Sequence, residues 1–512
     1  MMSDRPRHFT RRSFVGAAGT IALATPFSRL HARHKDGRHQ ARRREHSPYG
    51  PLRPVVDRTT GLPLLKLPRG FRYYSMGWTG DLMADGTLTP DRHDGMAVLH
   101  QDGPHGQHYH LIRNHERGAS SPSNPLPVIG AGQAPMYDGF VAPNAVSGLG
   151  GGTTGLTIHH GRLVDDRATL SGTLTNCAGG PTPWGSWLSC EETRVRGSTI
   201  GARDHGYVYE VPAAVLGTAS AKPIKDMGLM DHEAVAVDPT TGLVYETEDN
   251  GPYSGFYRYR PHVSVRGFGA LEQGGQLEML KVVDTFNADL RSPNQGDSFA
   301  VEWVPIADPD ADSERYESPG EGFPPIEGAG RSGPFLQGEA LGGARFNRGE
   351  GCFWYDGIIY FVDTSGGPVG QGVVWAYQPP DDDAAKPGWL TAIYVSPDER
   401  SANNPDNLTI SPNGGILLCE DGGAITDSAG NVEIGARLLG IDPWGSLFPF
   451  AENNVRLDQP IDGKPRIATG DYRGAEFAGA TFAPCGRWLF VNIQTPGITF
   501  AITGPFFLGP LK

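Results

Sequence analysis

The sequence predicts an all-β protein, and more specifically a six-bladed β-propeller with inserted loops. Short apolar stretches bounded by Gly, Pro, Asn and Asp recur along the chain, whereas the apolar period of an amphipathic helix is scarce. The 71 glycines and 43 prolines make up more than a fifth of the 512 residues, against roughly 12% in an average protein. Similar strand–turn–strand units recur six times, as expected of a propeller, and a two-sheet sandwich pair is the structural alternative.

Each unit consists of a strand, a turn rich in Pro or Gly, and a second strand that in most units ends in acidic residues. In chain order the units cover 94–118, 176–192, 232–251, 350–367, 406–423 and 479–495. The turns DPTTG in the third unit and SPNGG in the fifth are typical of hairpins. One unit cannot bury its faces alone, but a ring of units can. The unequal spacing indicates insertions, such as 261–345, that form loops or additional strands.

The first 46 residues are predicted to be a twin-arginine signal peptide with a basic linker, followed by a single β-propeller catalytic domain over 47–512. Arg11 and Arg12 precede Phe14 and a short apolar run. This run is too short to span a bilayer. We therefore expect the twin-arginine export machinery as a partner, a periplasmic or extracellular location, and no stable insertion into a membrane.

The charge of the remaining chain argues against nucleic acid as a partner. The whole sequence has a formal charge of −13, but residues 1–46 contain 11 Lys+Arg and only 3 Asp+Glu, which leaves −21 for the rest. A body this acidic repels nucleic acid and anionic membranes. The excess of carboxylates serves either solubility or the binding of several hard cations.

Acidic doublets or near-doublets follow four of the predicted strands. They are Asn114-His115-Glu116, Glu191-Glu192, Glu248-Asp249 and Glu420-Asp421. Because successive strand side chains point to opposite faces, one member of each doublet is expected to face a common site, and the sequence does not say which. Strand ends from several blades open at one mouth of a propeller, where carboxylates could meet and bind cations. Acidic residues that end strands for reasons of turn chemistry are the alternative for any single doublet.

Other chemical motifs are weak. The five cysteines show no zinc spacing, and HEAVAVD, from His232, lacks the second histidine of HExxH. The stretch GGGTTG at 150–155 is predicted to be a flexible loop and not a dinucleotide site, because no βαβ context surrounds it. Cys177 could be a buried small hydrophobe, half of a disulfide with Cys190, or a thiolate ligand, and Cys190 itself remains a rival ligand on spacing. A thiolate beside carboxylates suggests iron, and the number of carboxylates suggests calcium.

Long ordered motifs are spread over residues 90–506. They are DRHDGMA, RNHE, NCAGGPTPWGSWLSCEE, DHEAVAVDPTTGLVYETED, SGFYRYRP, RGEGCFWYDGIIYFVDTSGG, PDNLTISPNGGILLCED and EFAGATFAPCGRWLFVNIQTPGITFAITGP. Together these motifs resemble the PhoX-type alkaline phosphatases and their bacterial relatives. The resemblance implies a six-bladed propeller that is exported by the twin-arginine route. It also implies a cofactor of two ferric ions, Fe(3+), and three calcium ions, Ca(2+), around a bridging oxide.

The resemblance also assigns roles to individual residues. Cys177 would be the thiolate ligand to iron, Glu192 a carboxylate ligand on the same hairpin, and Glu233 and Glu350 ligands from later blades. Arg348 would bind the phosphate. The residues Glu116, Glu248, Asp249, Glu420 and Asp421 lie in matching motifs and are carried as candidate metal ligands.

These observations predict a secreted, monomeric, metal-dependent phosphatase that hydrolyses small phosphate monoesters. Clustered cations and a planar guanidinium supply the charge stabilisation that phosphoryl transfer requires. The alternatives are a calcium-dependent propeller hydrolase of another class, such as a lactonase, and a non-catalytic binding propeller.

Overall fold

The computed structural model describes residues 47–103, 108–119, 126–128, 134–141, 148–200, 202–263, 266–316, 330–380, 386–442 and 445–512. The protein is all-β, as predicted, with antiparallel sheets arranged as in a propeller. The proposed signal peptide and linker, residues 1–46, lie outside the described residues. Within the described residues, the helices are all too short or too polar to cross a membrane.

The strands are numbered in chain order. They are β1 (Arg53–Val55), β2 (Leu65–Leu67), β3 (Arg72–Met76), β4 (His93–Gln101), β5 (His108–His115), β6 (Gly151–His159), β7 (Arg162–Thr173), β8 (Asn176–Pro181), β9 (Ser186–Glu191), β10 (Val208–Pro212), β11 (His232–Val237), β12 (Val244–Glu248), β13 (Phe256–Pro261), β14 (Gly275–Val282), β15 (Ser298–Pro305), β16 (Gly349–Tyr355), β17 (Ile358–Asp363), β18 (Val373–Gln378), β19 (Gly388–Val395), β20 (Pro405–Ile410), β21 (Ile416–Glu420), β22 (Ile425–Thr426), β23 (Val432–Ile434), β24 (Arg437–Ile441), β25 (Leu447–Asn453), β26 (Arg456–Leu457), β27 (Gly470–Asp471), β28 (Phe477–Phe482), β29 (Trp488–Ile493) and β30 (Ile498–Thr503). The described residues also form two α-helices, α1 (Gly197–Ile200) and α2 (Gly333–Ala340), and 3-10 turns at Lys225–Met227, Leu271–Gln273 and Phe506–Leu508.

Hydrogen bonding groups the strands into five larger sheets and two short hairpins. The larger sheets have the orders β4-β5-β6-β7, β10-β9-β8, β11-β12-β13-β14-β15-β19-β18-β17-β16, β20-β21-β24-β25-β2-β1 and β28-β29-β30-β3. The nine-stranded sheet joins two units where β15 pairs with β19. The described part of the 261–345 insertion supplies β14, β15 and α2 to it, so it is an extension of the sheets and not merely a loop.

Six inner strands form the centre of the ring, and each begins one of the six predicted units. In ring order they are β4, β8, β11, β16, β20 and β28, and each lies beside the next, with β28 returning to β4. The N-terminal part of the domain closes the ring, because β3 pairs with β30 and β2 pairs with β25. Strands from both ends of the chain therefore share two sheets, which prevents the ring from opening at a free edge.

Apolar side chains fill the spaces between neighbouring sheets, while small residues line the centre. A Cβ atom on Gly351 would lie 2.6 Å from the backbone nitrogen of Leu408, and one on Gly95 would lie 2.6 Å from the Cα atom of Ala178. The inner strands thus approach too closely for larger side chains. The GGGTTG stretch was predicted to be a loop, and this is wrong, because Gly151 begins strand β6. The glycines permit close packing within the sheet.

Candidate metal centre

Each inner strand has a β-bulge near its first residue. Six register shifts against the neighbouring second strand occur at equivalent places, between His93 and Met96, Asn176 and Gly179, His232 and Val235, Gly349 and Cys352, Pro405 and Leu408, and Ala478 and Thr481. In each case, an interval of three residues on the inner strand lies opposite an interval of two residues on its partner. A bulge of this kind changes the direction in which the side chain of the extra residue points.

In five of the six bulges, the first unpaired residue carries a carboxyl or thiol group. In ring order the first unpaired residues are Asp94, Cys177, Glu233, Glu350, Asp406 and, in β28, Gly479. The inner strands begin, and the second strands end, at the same end of the ring, which we call the mouth. The repeated bulge therefore delivers four carboxyl groups and one thiol to the mouth from five strands that are distant in sequence.

The structure shows which member of each acidic doublet faces the mouth. Each doublet lies where the second strand of a unit ends. The first member of each pair remains in its strand and contacts the protein interior. Glu248 accepts a hydrogen bond from the Tyr257 hydroxyl at 2.6 Å, and Glu420 accepts two from Arg437, both at 2.7 Å. The second member follows the strand end, as Asp249 and Asp421 do, and faces the mouth. The structure therefore does not bring Glu248 and Glu420 to the site.

In the part of the chain that the structure describes, the mouth residues form four groups in which one ligand atom from each residue lies within 4.8 Å of the others. The groups are Cys177/Glu192/Glu233, Glu233/Glu350/Asp406, Asp406/Asp421/Glu476 and Asp94/Glu116/Glu476. Consecutive groups share Glu233, Asp406 and Glu476. Because a carboxylate can bind one ion through each oxygen, this arrangement is a connected cluster that suits several adjacent cations.

Most members of the groups are buried or half-buried, and the side chain of Asp421 is exposed. For the buried and half-buried acids, burial is the main reason that they resist ionisation without cations. Burial, with the nearby carboxyl groups, raises the pKa of Glu116 to about 7 and the pKa of Asp406 to about 7. Burial also raises the pKa values of Glu233 and Cys177 well above their usual ranges, and neighbouring acids contribute. Glu233 Oε2 has no hydrogen-bond partner among the described residues. Bound cations would offset both the lost hydration and the mutual repulsion.

The donor atoms fit the metals that the sequence suggests. Cys177 adds a sulfur donor to two carboxylates, and such a mixed set suits iron better than calcium. The other three groups offer only carboxylate oxygens, the ligands that calcium prefers. The residues present therefore fit a mixed cluster of iron and calcium ions.

Cys177, and not Cys190, lies with the ligands. No disulfide joins them, since both are free thiols. Cys190 is fully buried in the apolar cluster around Leu188 and Val208. The spacing that made Cys190 a rival ligand assumes that the strand continues through Glu192, but β9 ends at Glu191.

Arg348 lies at the mouth between two carboxylates. Its Nη2 atom is 2.7 Å from Asp249 Oδ2 and 2.8 Å from Glu350 Oε1, and its Nε atom is 2.9 Å from Asp249 Oδ1. Burial alone would lower the pKa of the Arg348 guanidinium, but Glu350 and Asp249 raise it above its usual value. The side chain remains 36% exposed. A positive, oriented guanidinium is therefore accessible beside the carboxylate cluster.

Polar side chains on the second strands hold the bulges of the next unit in the ring. Asn114 Nδ2 donates to the carbonyl oxygens of Cys177 and Ala178, at 3.2 and 2.7 Å. In the same way, Asn492 Nδ2 donates to the Asp94 carbonyl at 2.7 Å. Thr247 Oγ1 donates to the Glu350 carbonyl at 2.5 Å. These bonds satisfy backbone groups that the bulges remove from the ladder, and they fix the direction of the ligands.

Sequence reasoning missed three members of the groups, Asp94, Asp406 and Glu476. Asp94 and Asp406 could have been found, because each lies at the start of a predicted unit, where Glu233 and Glu350 lie within one residue of the start of theirs. Glu476 precedes β28 and lies outside any doublet, so the sequence offers no comparable signal for it.

The chain was compared with known families and structures. The sequence profile of the alkaline phosphatase PhoX family matches residues 47–135 and 140–497. PhoX from Pseudomonas fluorescens, in complex with vanadate, a transition state analogue, is 17% identical with a TM-score of 0.59, over 88% of this chain and 98% of that chain. A gluconolactonase from Xanthomonas campestris is 12% identical with a TM-score of 0.35, over 91% of this chain and 100% of that chain. A search of curated proteins found no match.

The structural likeness to PhoX shows the fold, and the profile match shows the family. The matched ranges include every residue of the four groups as well as Arg348. The family predicted from the sequence motifs is thus confirmed, and with it the assignment as a hydrolase of phosphoric esters. The chain belongs to the PhoX family of alkaline phosphatases.

Proposed function

We propose that the protein is an exported phosphatase that hydrolyses small phosphate monoesters with iron and calcium ions at the mouth of the propeller. The observation that carries this proposal is the chain of four ligand groups that share Glu233, Asp406 and Glu476, with the Arg348 guanidinium beside them. A phosphate dianion would be repelled by these acids unless cations neutralised them. The site therefore suits phosphate only in its metal-loaded form.

Each residue has a defined part in this proposal. Cys177, Glu192 and Glu233 would hold iron, and the carboxylate-only groups would hold calcium. When bound, the metals would supply positive charge for the phosphoryl oxygens and lower the pKa of bound water. Arg348 would bind the phosphoryl group with two parallel N–H donors, as it now binds the two carboxylate oxygens of Asp249.

Asp249 and Glu350 keep the Arg348 side chain oriented before substrate arrives. Rotating the guanidinium from Asp249 toward the phosphate exchanges one charge-assisted hydrogen-bond pair for another, so the exchange has a small net cost. Asn407 donates to Asp406 Oδ1 at 2.6 Å and to Glu233 Oε1 at 3.4 Å. Asn407 thus connects two of the shared ligands and restricts their movement.

We propose in addition that the protein is exported by the twin-arginine machinery and acts as a monomer in the periplasm or outside the cell. The support is the Arg11-Arg12 pair at the start of the sequence and the family itself. Export after folding agrees with a site that holds several metals, because the ions can be inserted before the protein crosses the membrane.

The test is phosphate release from p-nitrophenyl phosphate, with metal content measured on the same samples. Arg348→Ala and Cys177→Ala are each expected to reduce activity to near background, and only Cys177→Ala is expected to reduce iron. Cys485→Ser is the matched control, because Cys485 lies outside the four groups. Full activity in either alanine variant would contradict the site assignment. Calcium without iron in an active protein would favour a calcium-dependent hydrolase instead.

A further inference from the structure

A second arginine occupies the same structural position as Arg348 in another unit of the ring. Arg92 comes one residue before β4, as Arg348 comes one residue before β16, and the local sequences Arg-His-Asp-Gly and Arg-Gly-Glu-Gly match in pattern. Both arginines have left-handed backbone conformations, with φ of 52° and 64°. Non-glycine residues adopt this conformation rarely, so the shared strain marks a shared geometry at the mouth.

The two arginines come from opposite sides of the ring. Between β4 and β16 lie two inner strands in each direction, β8 and β11 on one side and β20 and β28 on the other. The ligand groups connect the two sides across the mouth. Arg92 contacts Glu116 and Arg348 contacts Glu350, and these two acids belong to groups that are linked through Glu476 and Asp406.

Arg92 is held at the rim and not within the cluster. Its Nη1 atom donates to Gln494 Oε1 at 2.6 Å and lies 3.8 Å from Glu116 Oε2. Gln494 Nε2 in turn donates to Glu116 Oε2 at 2.7 Å. The Arg92 side chain is 49% exposed, compared with 36% for Arg348. Gln494 therefore fixes one arm of a half-exposed guanidinium beside the ligand Glu116.

We propose that Arg92 binds a second anionic group of the substrate, a phosphate or carboxylate on the leaving group, while Arg348 binds the phosphoryl group that is transferred. This inference rests on the proposed phosphatase activity. The rim position of Arg92 suits the part of a substrate that remains outside the cluster. The mouth is rich in carboxylates, so a substrate with a second negative charge needs a cation beside that second anionic group. Arg92 is thus a specificity-determining residue.

The experiment compares two substrates that differ in one charge, 4-carboxyphenyl phosphate and 4-carbamoylphenyl phosphate. The measured quantity is the ratio of their kcat/KM values in the metal-loaded wild type, Arg92→Gln and Arg92→Lys. Arg92→Gln is expected to lower the carboxyl-to-carbamoyl ratio about tenfold, which corresponds to about 1.4 kcal/mol. Arg92→Lys is expected to restore part of it, since it keeps the charge without the planar fork.

Arg162→Gln is the matched control. It removes the same charge from the opposite end of the same sheet, where β7 begins, and its ratio should equal that of the wild type. An equal ratio in wild type and Arg92→Gln would overturn the inference and leave the phosphatase proposal intact. An equal fall in activity on both substrates would also overturn it, because Arg92 would then act on a step that the substrates share. Failure of the wild type to hydrolyse either substrate would instead contradict the proposed function.

Discussion

Replacing Asp406 with asparagine should have opposite effects on the metal-free and metal-loaded protein. Asp406 lies at the mouth with its carboxyl group buried, and it is shared by two of the four ligand groups. Burial, with a contribution from Asp421, raises its pKa from 3.8 to about 7. Without metals, the folded protein thus binds the Asp406 proton more tightly than the unfolded chain does. Between pH 4 and 7 the unfolded chain loses this proton first, so stability falls as the pH rises.

The size of this effect follows from the shift. A shift of about three pKa units corresponds to a destabilisation of the metal-free protein of on the order of 4 kcal/mol. This destabilisation is fully present above pH 7 and absent below about pH 4. Asp406→Asn removes the free-energy cost of ionising this carboxyl group in the folded protein. At pH 8 the metal-free variant should therefore be more stable than the metal-free wild type by up to this amount. In the metal-loaded protein the same change deletes an anionic ligand from two groups. It should therefore reduce the metal content by more than Asp94→Asn, which affects one group.

The assay is urea denaturation at pH 4 and pH 8, with and without prior chelation, together with elemental analysis. Glu420→Gln is the contrasting variant, because Glu420 is paired with Arg437 and lies outside the groups. It should destabilise both forms, since it leaves a buried guanidinium only partly compensated. Destabilisation of the metal-free protein by Asp406→Asn at pH 8, or full metal retention in that variant, would refute the reasoning.

Four further outcomes are expected. Cys177→Ala should lose iron, whereas Cys190→Ala should retain it and lose only stability, by about 1–3 kcal/mol for a buried truncation; equal iron in both would contradict the ligand assignment. Arg348→Lys should lower kcat/KM by roughly 10- to 100-fold without changing metal content, because a point charge replaces a planar fork. Asn114→Ala should weaken metal binding by about 10- to 100-fold through the Cys177 bulge, as measured by competition with a chelator. Metal affinity should fall as the pH drops below about 7, because Glu116, whose pKa is raised to about 7, must lose its proton to bind; pH-independent affinity would contradict this.

The sequence predicts the local part of the fold well. Each predicted unit has a hairpin whose signals lie within about 20 residues, and the inner strands occur where these units begin. The closure of the ring is different. β3 pairs with β30 across more than 400 residues, and such a pairing leaves no local pattern, because it is decided by which sheet edges remain free once the ring is complete.

The candidate site, like the fold, could be predicted from the sequence only in part. Cys177, Glu192, Glu233 and Glu350 were identified from motifs, and the structure brings all four together. Which member of a doublet faces the mouth depends on where the strand ends and on the bulge beside it. The alternation of side chains along a strand predicts neither the strand end nor the bulge. The sequence alone therefore does not distinguish Glu248 from Asp249 as the residue that faces the mouth.

The central claim is that the shared carboxylates and Cys177 hold iron and calcium together, and elemental analysis of the protein purified from the exported fraction tests it most directly. The account predicts that iron and calcium both remain bound after gel filtration, with more than one metal ion per chain, and that Cys177→Ala loses the iron. A wild-type protein that hydrolyses p-nitrophenyl phosphate without iron, or that binds no more than one ion per chain, would contradict it.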